Sequence, residues 1–153
     1  MAESCLVDAH EQEAFATTLL REHVDDPAWV RGGLPVLWLG ELLPGWYDDW
    51  VAFERERLSQ LRLHALELTA RTLTRHGELD IALELALEAV RTEPLRESAN
   101  AVLMTVYLAE GNASDAIHQF TSFRDLLHRE LGLEPSPRLA ALLPRQHSAV
   151  TRS

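Results

Sequence analysis

An all-helical fold follows from three features of the sequence. Helix formers dominate it, apolar residues recur at helical spacing along most of its length, and glycines stand where those stretches should stop. Leu, Ala, Glu and Arg recur throughout the 153 residues, strand formers are sparse, and glycine and proline contribute only seven residues each. With 46% apolar and 25% charged residues, the chain has the balance and length of one globular domain. Residues 1–145 are expected to form that helical domain and residues 146–153 a disordered tail.

Asp8 is placed to cap a first helix running to about Val24, with Phe15, Leu19 and Leu20 on one stripe. From Asp25 to Trp46, breaks at Pro27, Gly32, Gly33, Pro35, Pro44 and Gly45 allow only short helical turns. Arg31-Gly32-Gly33-Leu34 lacks the rest of any phosphate-binding motif and reads as a loop, while Trp29, Trp38 and Leu39 read as core anchors. After a turn at Pro44-Gly45, Asp48 or Asp49 starts a long helix through Trp50, Phe53, Leu58, Leu61, Ala65, Leu68 and Leu73, which Gly77 stops. The next helix spans about Leu79 to Thr92, with Leu79, Ala82, Leu83, Ala86, Leu87 and Val90 on one face and Pro94 beyond its end. Further helices run from near Arg96 to Glu110, before Gly111, and from Ser114 to Leu131, before Gly132. Ser136-Pro137 is a cap and first-turn pair for a short terminal helix through Leu139, Leu142 and Leu143. The short connections imply antiparallel neighbours.

The formal charge of −10, from 14 basic against 24 acidic residues, opposes autonomous binding to a nucleic-acid duplex. Cys5 has no intrachain partner for a disulfide, which fits a reducing compartment. No apolar run approaches the roughly 20 residues needed to cross a bilayer, and the start lacks a signal-peptide pattern, so a cytoplasmic location with no membrane contact is expected.

A 34-residue offset runs through the second half of the chain: Ala65 repeats at Ala99, Leu73 at Tyr107, Gly77 at Gly111 and Ala82 at Ala116. This is the tetratricopeptide period. Small Ala70, Ala82 and Ala89 let paired helices approach closely, Gly77 makes the turn between them, and Pro94 ends the unit. The second unit carries Leu103, Met104 and Tyr107 on one helix and Ala116 and Phe120 on the next. It departs from the pattern at Asn100, where a large apolar residue is usual, and at His128, where a terminating proline is usual, so its second helix is expected to run longer. The period predicts two clear repeats.

Four segments carry a family resemblance: Glu41-Leu-Leu-Pro-Gly-Trp-Tyr-Asp-Asp-Trp50, Glu54-Arg-Glu-Arg-Leu58 continuing to Leu61-Arg-Leu63, Glu93-Pro-Leu-Arg-Glu97, and Glu130-Leu-Gly-Leu-Glu-Pro-Ser-Pro137. With them the chain resembles the bacterial transcriptional activator domain, the tetratricopeptide-like module found behind a winged-helix domain in SARP-type regulators. The resemblance implies a role in transcription regulation, and a degenerate repeat ahead of the two clear ones. It also places Val7-Asp8-Ala9-His10 where the winged helix ordinarily finishes, so the chain reads as the module alone, without the DNA-reading half.

Chemistry is sparse. His10-Glu11 with Glu13, and His64 with Glu67, lack the spacing of a metal site, and no connected set of nucleophile, base and electrophilic helper is present, so neither a metal, a cofactor nor catalysis is expected. Asp48 and Asp49 serve as a cap more simply than as a carboxylate pair. Glu54 to Arg57 with Arg62, Arg71 and Arg75 could form a nucleic-acid stripe, but basic and acidic residues alternate there and an internally paired face is favoured. For Trp46 and Trp50 a core cluster is favoured over an exposed anchor.

The leading expectation is a module that binds a protein partner, either a regulator, part of the transcription machinery, or a second copy, with no direct nucleic-acid contact. The alternatives are a DNA-binding activator in its own right and, behind it, a metal-dependent enzyme. The first helix of each tetratricopeptide pair lines a concave face, so the resemblance in register places His64, Glu67, Arg71 and Thr74 on a partner groove, continued by Ser98, Ala101, Thr105 and Leu108.

Overall fold

The computed structural model describes residues 2–37 and 49–145, with side chains from residues 10–37 and 52–145. Among these residues every regular element is helical. In chain order they are α1 (Ala2–Glu22), α2 (Pro27–Gly32), α3 (Leu34–Leu37), α4 (Asp49–Arg75), α5 (Leu79–Thr92), α6 (Glu97–Ala109), α7 (Ala113–Leu131) and α8 (Pro137–Ala140).

The two repeats are α4 with α5 and α6 with α7. Each helix packs on the next, and α4 also touches α6, so the first helices of the two pairs lie side by side. The turns within the pairs are the same motif twice. Gly77 and Gly111 sit at φ +80° and +82°, a left-handed conformation that glycine adopts without steric cost. At the first, the Glu78 N–H donates to Leu73 O at 2.9 Å and the Gly77 N–H to Thr74 O at 3.2 Å. At the second, Asn112 donates to Tyr107 O at 2.8 Å and Gly111 to Leu108 O at 3.1 Å, each partner 34 residues further on. These are the two bonds of a Schellman cap, and they satisfy carbonyls the helix ends would otherwise leave open.

The small residues of the repeat close the crossings: Ala65, Ala70, Ala82, Ala89, Ala99 and Ala116 are all fully buried. One apolar cluster joins Ala16 and Leu19 of α1 to Val30, Leu37, Leu63, Leu66, Leu73, Leu85, Val102 and Leu103. A second gathers Met104, Ala116, Phe123, Leu127 and Leu139, so α8 closes the far end of the array. Ser136 caps α8 by accepting from the Leu139 N–H at 3.3 Å and is itself bonded to Glu97 of α6. Asn100, the departure from the repeat, is buried with its amide satisfied: Nδ2 donates to Pro94 O at 3.1 Å and Arg96 O at 2.9 Å, and Oδ1 accepts from Gln119 at 2.7 Å. The polar side chain thus ties the inter-repeat turn to α7. Without the terminating proline, α7 runs for 19 residues against 14 in α5.

Several expectations are corrected. Asp8 lies inside α1 rather than at its cap, because nothing from Ala2 onward interrupts a helix. That helix ends at Glu22, short of Val24, where His23 takes φ 48° and its ring nitrogen lies 3.2 Å from Leu20 O. Gly32 and Gly33 form the end of α2 rather than a loop, and Gly33 is right-handed. Space, not φ, calls for glycine there: a Cβ at Gly33 would stand 1.9 Å from the Phe15 ring. Trp29 is 37% exposed and stacks on the Phe15 ring at 5.0 Å, a surface position rather than a buried anchor. Phe53 and Leu87 are exposed, while Leu85, left out of the predicted face of α5, is fully buried. The readings for Trp38, Leu39, Pro44-Gly45, Trp46, Asp48 and the tail 146–153 lie outside the described residues, as does the side chain of Trp50.

One ion-pair network links α4 to α5. Arg91 forks onto both oxygens of Glu88 at 2.8 Å, while Arg62 donates to Glu88 Oε1 at 3.1 Å and to Leu37 O at 2.9 Å. The Arg91 hydrogen bonds, helped by Arg62 and opposed by partial burial, hold the Glu88 carboxyl below the ordinary carboxylate range. A depressed folded-state value stabilises above the unfolded carboxylate range and is lost as pH falls through the folded one. Urea midpoints measured from neutral to acid pH should therefore decline less steeply in Glu88→Gln than in the native chain. Parallel declines would show that the network does not contribute.

Candidate functional site

The face shared by α4 and α6 follows from their helical period. Gln60, His64, Glu67, Arg71 and Thr74 recur at intervals of four and three residues along α4, and Ser98, Ala101, Thr105 and Leu108 do the same along α6. The two helices are in contact, and the stripes meet where Ser98 bonds to Glu67.

The eight predicted residues do not play equal parts. His64, Arg71 and Thr105 are exposed, and Ala101 and Leu108 are half-buried against the second apolar cluster. Thr74 Oγ1 donates to Ala70 O at 2.6 Å and Thr105 Oγ1 to Ala101 O at 2.8 Å, so both hydroxyl protons are used within their own helices. Glu67 is not a free contact residue. It is 3% exposed, and its Oε1 accepts from Arg96 Nε at 2.5 Å and from Ser98 Oγ at 2.9 Å. This clasp joins α4 to the start of α6.

Arg96 is the residue that the repeat register missed. Besides Glu67, its guanidinium donates from one terminal nitrogen to Gln60 Oε1 at 3.0 Å and sets the other 3.2 Å from His64 Nε2. A signal was present in Glu93-Pro-Leu-Arg-Glu97. A cation at the start of a helix opposes the macrodipole, so Arg96 at the N-cap of α6 gains from an acid nearby. Glu67 is that acid, 29 residues away in sequence.

Most of the suspected nucleic-acid stripe is paired internally. Arg57 contacts Glu13 at 2.9 Å and Glu54 at 2.8 Å, Arg62 contacts Glu88 at 3.1 Å, and Arg75 contacts Asp25 at 2.6 Å. Arg71 differs: it is exposed and makes no hydrogen bond or ion pair among the described residues. A cleft of about 560 Å³ also opens beside Gln12, Leu58, Arg62 and Glu88, but Arg62 and Arg91 at its wall are both held by Glu88. Among the described residues no three His, Cys, Asp or Glu side chains are grouped to hold a metal ion, and no helix is long and apolar enough to cross a membrane.

Paired helices and Schellman turns in 34-residue register define a tetratricopeptide-like helical module. The family model described as the bacterial transcriptional activator domain matches residues 8–145, and the chain belongs to that family. Its setting is bacterial transcription regulation. It is 35% identical over 119 residues to the regulatory protein AfsR of Streptomyces griseus, covering 71% of this chain and 11% of that protein. Against the regulatory protein AfsR of Streptomyces coelicolor strain A3(2) the identity is 31% over 109 residues, with the same shares covered. The chain thus spans about a ninth of the length of these curated relatives.

Proposed function

We propose that this chain is a protein-interaction module of bacterial transcription regulation. It holds a segment of another regulator or of the transcription machinery, or a second copy of itself, on the α4–α6 face, and does not read DNA on its own. The observation that carries this is the division of labour on that face. Glu67, Arg96 and Ser98 lock the two helices, leaving Arg71, His64 and Thr105 exposed beside the apolar surface of Ala101 and Leu108. Mixed polarity around a small apolar strip suits a peptide or helix better than a phosphate backbone. The charge of −10 and the internal pairing of Arg57, Arg62 and Arg75 support the same choice.

The test uses two variants of the exposed rim, Arg71→Glu and Leu108→Asp. Partners captured from the native cell, and self-association followed by analytical ultracentrifugation, supply the binding readout. Each variant is expected to weaken binding at least ten-fold, with the melting temperature of Arg71→Glu unchanged. Folded variants that bind with full affinity, or a salt-dependent mobility shift of duplex DNA by the purified chain, would overturn the reading.

A further inference from the structure

We infer that the α4–α6 face selects an acidic amphipathic helix, one carrying two carboxylates about two turns apart beside an apolar residue. This deepens the proposed function and rests on it. The first ground is charge: on a chain of formal charge −10, this face sets the guanidinium groups of Arg71 and Arg96 against one buried acid, Glu67, and so keeps a positive balance. An acidic segment is thus favoured on this face of an acidic chain.

The second ground is the way Arg96 is held. A guanidinium has five N–H donors. Glu67, Gln60 and His64 take one each, leaving two without a protein partner among the described residues. Since Nε is anchored on a buried carboxylate, the group is fixed in orientation before a ligand arrives, and little side-chain freedom is lost on binding. Arg71 supplies a second guanidinium with all its donors available.

The third ground is spacing. The Arg96 terminal nitrogens, which keep the spare N–H groups, lie against Gln60 and His64 of α4, and Arg71 is seven residues beyond His64 on the same helix. At about 1.5 Å per residue, the two cationic positions are therefore set about 10 Å apart along α4. Carboxylates two turns apart, at about seven residues, on one face of a partner helix have a similar separation. The half-buried Leu108 then lies in reach of an apolar side chain on the same face of that helix. An extended phosphate backbone offers no apolar group for Leu108, which separates this ligand from a nucleic acid.

A displayed library of 20-residue helical peptides, randomised on one face and selected on the full purified chain, tests the inference. Enriched peptides should carry Glu or Asp pairs at a spacing of about seven residues, and replacing the pair by Gln should weaken binding at least ten-fold. Selection on Arg71→Gln, an exposed change that leaves the clasp intact, should lose the acid preference. Arg96→Lys, which keeps the charge opposite Glu67 but not the planar fork, should reduce it. Enrichment without acid pairs, an unchanged preference on Arg71→Gln, or no enrichment at all would each overturn the inference. Leu108→Asp separates the two levels. Acid-free peptides that lose binding to Leu108→Asp refute the acidic ligand and keep the groove, whereas peptides indifferent to Leu108→Asp refute the groove itself.

Discussion

Ala82→Glu and Ala116→Glu are each expected to unfold the protein or leave only a residual, poorly cooperative transition. Both alanines are fully buried, at equivalent positions of α5 and α7, where the second helix of each pair crosses its neighbours. A glutamate there forces four more heavy atoms into a closed crossing, and overpacking of this kind costs about 1–3 kcal/mol. Its carboxylate also leaves water without a partner, at an effective cost of several kcal/mol. Together these rival the roughly 5–15 kcal/mol by which domains are stable. Leu87→Glu and Ile117→Glu are the controls, because both side chains lie on the same two helices but are exposed. They should melt within about 0.5 kcal/mol of the native chain. Circular dichroism during thermal and urea denaturation measures all four, and native-like melting of either alanine variant would refute the crossing geometry.

The second large effect is expected at Arg96. Arg96→Ala leaves the Glu67 carboxylate buried between α4 and α6, with Ser98 Oγ as its remaining side-chain partner. Removing one member of a buried ion pair costs about 3–5 kcal/mol. In a chain of this length that is a fall in melting temperature on the order of 6–20 °C. The cause can be separated from lost packing by Arg96→Ala combined with Glu67→Gln. With the buried charge gone, the double variant should recover much of the loss, and the coupling between the sites should exceed about 1 kcal/mol. Simple additivity would mean that the clasp carries no special weight.

These positions also divide what could be read without coordinates from what could not. Ala82, Ala116, Gly77 and Gly111 were legible because a 34-residue repeat records a local need twice: nothing larger than a methyl fits at the crossing, and a Cβ is strained at φ near +80°. The ends of α5, α6 and α7 were legible to within a residue or two for the same reason, since caps and glycine stops act over one turn. The N-terminal part was less so. Asp8 resembled a cap, yet no neighbouring break made one necessary, and His23 ended the helix in a conformation that residue type does not announce. The space that Phe15 takes beside Gly33 comes from a different helix and leaves no trace in the local pattern.

The α4–α6 face shows the same division. Helical period put His64 with Arg71 and Thr105 with Leu108, because residues three and four apart share a helix face, and the resemblance in register joined the two stripes into one expected surface. Which of the predicted eight were free depended on partners distant in sequence. Glu67 finds Arg96 across 29 residues and becomes a clasp, Arg57 finds Glu13 and Arg62 finds Glu88, and Arg71 finds none among the described residues. Periodicity specifies the direction in which a side chain leaves its own helix. Whether it meets a carboxylate there, and so spends its charge within the protein or presents it to a partner, was decided only when the second helix packed against the first.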